Sequence, residues 1–349
     1  MNAIEEDVKS IVDKLDNDGV NFKDNTVLIT GGAGFLGSWI CDVLIHQGAK
    51  VICADNFSSG RSENVQHLLN SKNFSLVEHD ISEPLHLDEH IDLVLHFASR
   101  ASPLEFSKFP IEILKANTFG TWVALEIAKE SKARFVFASS SEVYGNPDKK
   151  YVPTLENYHG NVNPTGPRSC YDEGKRVGET FSIAYKNQYG IDVRIVRIFN
   201  CYGPRLRPGD LYGRVVSRFI EQAMKGETLT IFGNGMQTRS FIYVTDLIEG
   251  ILKFSSTPIA ADEIINLGSD EEIKIIDLAR IIAKLFHSEP KMEFHQLPKD
   301  DPLRRCPNIE KAKKILRWEP RTSLEQGLVK TISWYRKKYN LRRHSIKTE

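Results

Sequence analysis

Cysteine is scarce in this chain of 349 residues: there are five (Cys41, Cys53, Cys170, Cys201 and Cys306), widely scattered and without a CxxC pair. That spacing points to neither a zinc site nor a disulfide framework and leaves buried or idle thiols. An excess of one charge is lacking as well. With 46 basic against 46 acidic side chains, no basic field covers the molecule, and nucleic acid is excluded as a main partner. No stretch approaches the roughly 20 apolar residues that a membrane-spanning helix needs. Residues 1–25 are polar and acidic rather than signal-like, so the expectation is a cytoplasmic protein with no membrane partner. The ten histidines show no HExxH or other ligand spacing, and no metal is expected. Internal repeats and low-complexity tracts are missing too. What is present, with 41% apolar residues, is a globular chain long enough to bury a sizeable core.

Residues 1–25 carry an amphipathic pattern (Ile4, Val8, Ile11, Val12, Leu15) that predicts a helical extension packed on the body. The texture then changes. Val27-Leu28-Ile29-Thr30 is a short apolar run stopped by glycines, followed by helical periodicity at Phe35, Trp39, Val43 and Leu44 and a second run at Val51-Ile52-Cys53-Ala54. This is a β-α-β unit. Further runs at 74–77, 93–96, 135–138 and 193–198 alternate with helical stretches at 111–131 and 171–189. Such alternation implies an α/β chain with a doubly wound parallel sheet covered on both faces over residues 26–200. Residues 201–340 are mixed, with Gly- and Pro-rich loops and helical patterns at 275–286, 309–316 and 324–339. They read as a smaller α/β substrate lobe from which some chain returns to the sheet. A polar tail, 341–349, follows.

Thr30-Gly31-Gly32-Ala33-Gly34-Phe35-Leu36-Gly37 sets glycines in a GxxGxxG spacing between strand end and helix start. Glycine permits the tight turn and lets backbone N–H groups approach a pyrophosphate at the positive end of the helix. The second strand ends at Asp55, where a carboxylate accepts hydrogen bonds from ribose hydroxyls and repels a 2′-phosphate. NAD is therefore favoured over NADP, with Arg61 close by in sequence as the feature that opposes it.

Tyr171 and Lys175 form a YxxxK pair one helical turn apart, on one helix face. A free tyrosine, with a pKa of about 10, is a poor base near neutrality unless a cation favours the phenolate; Lys175 is that cation. Ser140, just after a strand, is placed to present its hydroxyl to the same substrate oxygen. Tyrosine, lysine and serine beside a nicotinamide suit alcohol oxidation, in which the phenolate takes the hydroxyl proton while hydride leaves the same carbon.

From about residue 26 to 339 the chain resembles the extended short-chain dehydrogenase/reductase family, which modifies nucleotide sugars on a Rossmann domain with a smaller C-terminal lobe. Within it the resemblance is to the UDP-glucuronate decarboxylases. It is carried by Asp55-Asn56-Phe57-Ser58-Ser59-Gly60-Arg61, by Ser141-Glu142-Val143-Tyr144-Gly145-Asn146-Pro147, by the stretch from Asn163 to Arg176, and by that from Asp300 to Ile309. The resemblance implies Tyr171 as base, Lys175 as its partner and a ribose ligand, and Ser140 as hydroxyl partner where decarboxylases often carry threonine. It implies Glu142 near C4 and C5 of the sugar and Arg305 at the substrate carboxylate. The candidate NAD set is Gly31, Gly34, Phe35, Leu36, Gly37, Asp55, Asn56, Phe57, Ser59, Gly60, Asp80, Ile81, Phe97, Ala98, Ser99, Asn117 and Ala138, with Tyr171 and Lys175. For the UDP-sugar it is Lys115, Asn200, Arg205, Arg214, Val215 and Arg239, with Arg305. The loop 206–213 is longer than the family pattern leads one to expect.

The implied reaction is conversion of UDP-glucuronate to UDP-xylose and CO₂ through a 4-keto sugar. Oxidation at C4 makes a β-keto acid, whose electrons delocalise into the ketone as CO₂ departs. A guanidinium at Arg305 orients a carboxylate, whereas a neutral hexose offers it no equivalent. Two relatives in the family remain open as alternatives: a 4,6-dehydratase, whose pattern has an Asp-Glu pair where this chain has Ser141-Glu142, and a 4-epimerase, which needs neither Glu142 nor Arg305. A non-catalytic NAD-binding sensor is a further reading, opposed by the intact Ser140, Tyr171 and Lys175. The family also implies a homodimer through a four-helix bundle that includes the helix of Trp122, Leu125 and Ile127.

Overall fold

A computed structural model describes residues 3–207, 214–289 and 291–339. In chain order the elements are α1 (Ala3–Asn17), β1 (Thr26–Thr30), α2 (Phe35–His46), β2 (Lys50–Asp55), β3 (Phe74–Glu78), β4 (Leu93–His96), α3 (Pro103–Phe106), α4 (Pro110–Ser131), β5 (Arg134–Ser140), α5 (Ser169–Tyr189) and β6 (Val193–Ile198). There follow β7 (Cys201–Tyr202), α6 (Val215–Lys225), β8 (Leu229–Phe232), β9 (Thr238–Ser240), β10 (Ile242–Tyr243), α7 (Val244–Ser256) and β11 (Ile264–Leu267). The remainder is β12 (Glu272–Lys274), α8 (Ile275–Leu285), β13 (Met292–His295), β14 (Arg304–Arg305), α9 (Glu310–Leu316) and α10 (Leu324–Lys338). The predicted tail 341–349 and most of the long loop, 208–213, lie outside the described residues.

Seven parallel strands form one sheet in the order β11-β6-β5-β4-β1-β2-β3. Strand β4 and nearly all of β1 are buried, because helices cover both faces; that is why the strands read as continuous apolar runs rather than alternating ones. The chain starts at β1, works outward to β3, then returns to β4 on the other side of β1. A reversal of this kind opens a crevice at the carboxyl ends of the two diverging strands. The seventh strand, β11, comes from the C-terminal half and pairs with β6. The rest of that half carries small sheets: β8 with β13, and β12-β9-β14, in which Arg305 stands opposite Arg239.

Helix α1 buries Ile4, Val8, Ile11 and Leu15, with Val12 half-buried against the same core. It is also tied by charge: buried Asp7 accepts from Tyr243 Oη at 2.9 Å and from Lys330 Nζ at 2.5 Å. On α4, Leu125 and Ile127 face the core of their own subunit, while Trp122 is 44% exposed. Histidine 96, fully buried on β4 between Thr30 and Thr121, is pulled down to about 3 by burial and stays neutral, a packing residue. Among the described residues there is no cluster able to hold a metal ion and no helix long and apolar enough to cross a membrane.

Candidate active site

The crevice at the ends of β1 and β4 begins with the glycine turn. Gly31 has φ +71°, and a Cβ there would stand 2.7 Å from the Ala98 backbone, so only glycine lets the turn lie against the segment that leaves β4. A Cβ on Gly37 would stand 2.3 Å from Gly31 O and 2.7 Å from Gly32 Cα. These are backbone atoms with nowhere to go. Gly37→Ala is therefore expected to lower NAD affinity by at least about tenfold, measured by titration against the unaltered chain. Gly34 and Phe35 put the N-terminus of α2 at the crevice floor, where its unpaired N–H groups favour an anion.

Asp55 ends β2, buried, and accepts from Ala33 N at 2.9 Å and Phe57 N at 2.8 Å. Burial pushes its carboxyl up despite those two bonds. Gly60 is required beside it, since a Cβ would come within 2.7 Å of both carboxylate oxygens. Arg61, the feature that opposed NAD, is turned to Glu63 at 3.1 Å. Two buried side-chain oxygens, Ser99 Oγ and Asn117 Oδ1, have no hydrogen-bond partner. A glycine cradle that any Cβ would fill, a helix terminus, a strand-end carboxylate and unpaired buried oxygens fit a dinucleotide.

The same cleft is lined by Tyr171, Lys175, Ser139, Ser140, Glu142 and Arg305, and its far wall by Asn200, Arg205, Arg214, Val215 and Arg239. Of the cofactor candidates, Gly31, Gly34, Phe35, Leu36, Gly37, Ser59, Phe97, Ser99 and Ala138 also line it. Asp55, Phe57, Gly60, Ala98, Ile81 and Asn117 are not among its lining residues, and neither are Asn56 and Asp80, which bond each other at 3.0 Å. Lys115 is not brought to the cleft. It is exposed on α4, in the stripe of Ile111 and Phe119, because the helical repeat that buries Asn117 turns Lys115 outward. Arg205 is held by an ion pair to Asp42 at 2.7 Å and lies over Trp39.

The two motif residues of α5, Tyr171 and Lys175, are both buried. Lys175 Nζ donates to Ala138 O at 2.8 Å and lies 5.8 Å from the Tyr171 ring. Burial pulls its ammonium down to about 7. Burial likewise pushes the Tyr171 phenol well above its ordinary value, against the hydrogen bond from Ser140. Burial thus opposes the charged form of both groups. Phe106 of α3 stacks on Tyr171 at 5.0 Å, a contact that lies between distant segments and leaves no spacing signal.

Arg305 is buried on β14 and donates from Nη1 to Glu142 Oε1, and from Nη2 to Gly145 O at 3.3 Å. It is no surface arginine. Glu142 also accepts from Arg168 Nη2 at 2.5 Å. Burial would raise the Glu142 carboxyl, but the two guanidiniums overcome it and hold it down to about 2. Glu142 is thus an anion at neutral pH that accepts hydrogen bonds and donates none. Asp172 shows the reverse: burial first, then Glu142, push it up to about 8 against Arg168 and Arg305. The folded chain therefore holds a proton that the unfolded chain releases above about pH 4, so stability falls as pH rises from there through about 8. Asp172→Asn is expected to remove that slope and raise Tm by about 2–5 °C at neutral pH, read from melts across the window. Neither Arg168 nor Asp172 was among the sequence candidates, although both flank Tyr171 in the quoted stretch.

Residues 27–268 match the model of the NAD dependent epimerase/dehydratase family. UDP-glucuronic acid decarboxylase 1 of Xenopus tropicalis is 48% identical over 311 residues, 89% of this chain and 72% of that protein. UDP-glucuronic acid decarboxylase 4 of Arabidopsis thaliana is 44% identical over 92% of this chain and 70% of its own length. Among solved structures, an epimerase from Methanothermobacter thermautotrophicus superposes with a TM-score of 0.83 at 30% identity, covering 96% of this chain and 98% of that one. The UDP-glucuronic acid 4-epimerase of Bacillus cereus, in complex with UDP-glucuronic acid and NAD, gives 0.80 at 28% identity, over 90% of this chain and 100% of that one. With the glycine turn, the strand-end aspartate and the YxxxK helix inside the matched span, this chain belongs to the NAD dependent epimerase/dehydratase family, the extended short-chain dehydrogenase/reductases.

Proposed function

We propose that the chain decarboxylates UDP-glucuronate to UDP-xylose and CO₂ through a 4-keto sugar, with NAD as cofactor. The observation that carries this reading is Arg305: a buried guanidinium in the cleft that Tyr171 and Glu142 also line suits a sugar with a carboxylate. Relatives 42–48% identical that bear the name UDP-glucuronic acid decarboxylase support it. The glycine turn, Asp55 and Lys175 would hold NAD, which when bound would supply the hydride acceptor for C4, its later donor, and a positive ring charge. Tyr171 takes the C4 hydroxyl proton and Ser140 holds the same oxygen. Arg305 orients the carboxylate so that the bond to be broken lies along the ketone π system. As CO₂ leaves, negative charge grows on the C4 oxygen, where Tyr171 and Ser140 stand as donors. C5 then takes up a proton from solvent water in place of the lost CO₂, and Tyr171 returns the proton it took to the C4 oxygen. Arg239, Arg214 and Asn200 serve the nucleotide end of the cleft.

Ser141 stands where a dehydratase pattern has aspartate, which removes the acid for a leaving hydroxyl. The 4-epimerase reading shares the substrate named for the Bacillus cereus structure, and its product differs. Purified protein with UDP-glucuronate, UDP-galacturonate, UDP-glucose and dTDP-glucose, followed by NMR, is expected to give UDP-xylose from UDP-glucuronate; UDP-galacturonate as product, or preferred turnover of a neutral hexose, overturns the reading. The proposal extends to a cytosolic homodimer. Ile111, Phe119 and Trp122 on α4 and Val177 on α5 are 59%, 53%, 44% and 38% exposed, an apolar stripe that a second copy would cover in a four-helix bundle. Light scattering at micromolar concentration should report a dimer, and a monomer would refute it.

A further inference from the structure

Glu142 is gripped by two guanidiniums, and the reaction proposed above uses only one of them. Arg305 Nη1 binds one carboxylate oxygen and Arg168 Nη2 the other. A sugar carboxylate arriving at Arg305 competes with Glu142 for the same guanidinium. The Nη2 of Arg305 is engaged by Gly145 O, while its Nε is buried with no partner. Were Arg305 the sole cation of Glu142, turning it to substrate would leave a buried carboxylate unpaired, which is strongly unfavourable.

Arg168 is placed to prevent this. Its guanidinium is 3.8 Å from Asp172 and 3.9 Å from Asp301, and it lies over the Phe106 ring at 5.6 Å, the ring that stacks on Tyr171. Arg305 makes none of these contacts, so they persist when Arg305 changes partner. The charge count agrees. Arg168, Arg239 and Arg305 face Glu142 and Asp301, with Asp301 bound to Arg239 at 2.9 Å, while Asp172 is held largely protonated near neutrality. The cluster carries one positive charge in excess, which one carboxylate neutralises.

Resting on the decarboxylase reading, we infer that Arg168 is a positioning residue that retains Glu142 while the substrate carboxylate occupies Arg305, and thereby sets the preference for a uronic acid over a neutral hexose. The test is calorimetric titration of the full-length chain at saturating NAD in a Tyr171→Phe background, which stops turnover. The probes are UDP-glucuronate and UDP-glucose. Arg168→Gln is expected to weaken UDP-glucuronate by at least about tenfold and UDP-glucose by less than about threefold. Arg168→Lys, which restores the charge with one donor to Glu142, should recover much of the loss and remains measurable if the glutamine variant folds poorly. Equal weakening of both ligands, or of neither, overturns the inference. If the background chain with Arg168 intact fails to prefer UDP-glucuronate, the decarboxylase reading falls and takes this inference with it.

Discussion

Tyr171→Phe should lower kcat for UDP-glucuronate by about 10²–10⁴-fold, the range that a positioned acid–base group contributes, with NAD affinity changed little. The hydroxyl is the atom that matters. Tyr171 is buried on α5, stacked on Phe106 and hydrogen-bonded through its oxygen to Ser140, and phenylalanine keeps the ring and the stack. The change therefore removes proton transfer at the C4 oxygen, and with it one of the two donors that meet the developing charge. NAD retention separates this outcome from loss of fold: a variant that no longer binds the cofactor would say nothing about the hydroxyl. Because burial holds the phenol above its ordinary value, the wild-type rate should rise with pH on the alkaline side, and that rise should vanish in the variant. Stopped-flow kinetics with cofactor absorbance read both. A variant with wild-type turnover would remove Tyr171 from the chemistry.

Arg305→Gln is the second large effect, expected to cut kcat/KM for UDP-glucuronate by about 10²–10³-fold. Glutamine keeps a donor near Gly145 and loses the charge. Glu142 still has Arg168 at 2.5 Å, so the site is not left with an orphaned anion, and thermal stability should fall only modestly. The sharper signature is in selectivity. Affinity for UDP-glucose, which has no carboxylate to lose, should change by less than about threefold, so the variant should bind the two sugars alike. A loss shared by both ligands would mean that Arg305 supports β14 rather than the carboxylate.

Much of this architecture is local and was therefore legible. The run Val27 to Thr30, the glycine turn, α2 and Asp55 fall within one β-α-β unit, where each residue's role depends on near neighbours. Tyr171 and Lys175 share a helix face by spacing alone. What the spacing could not give was distance in the chain. Strand β11 is a four-residue strand, interrupted by Asn266, that joins the main sheet only because it pairs with β6. Arg305 meets Glu142 because β14 aligns with β9, and Arg168 gains its importance from that meeting. Lys115 was placed beside the sugar by resemblance, and the turn of α4 carries it to the exposed face. The burial that raises the Tyr171 phenol and lowers the Lys175 ammonium likewise has no signature in the YxxxK spacing.

The central claim is that one pair of electrons leaves C4 of the sugar and returns to C4 within the same site. UDP-glucuronate carrying deuterium at C4, converted by the purified protein and examined by NMR, tests it most directly. Retention of the label at C4 of UDP-xylose is the predicted result. Its replacement by solvent hydrogen would contradict the account.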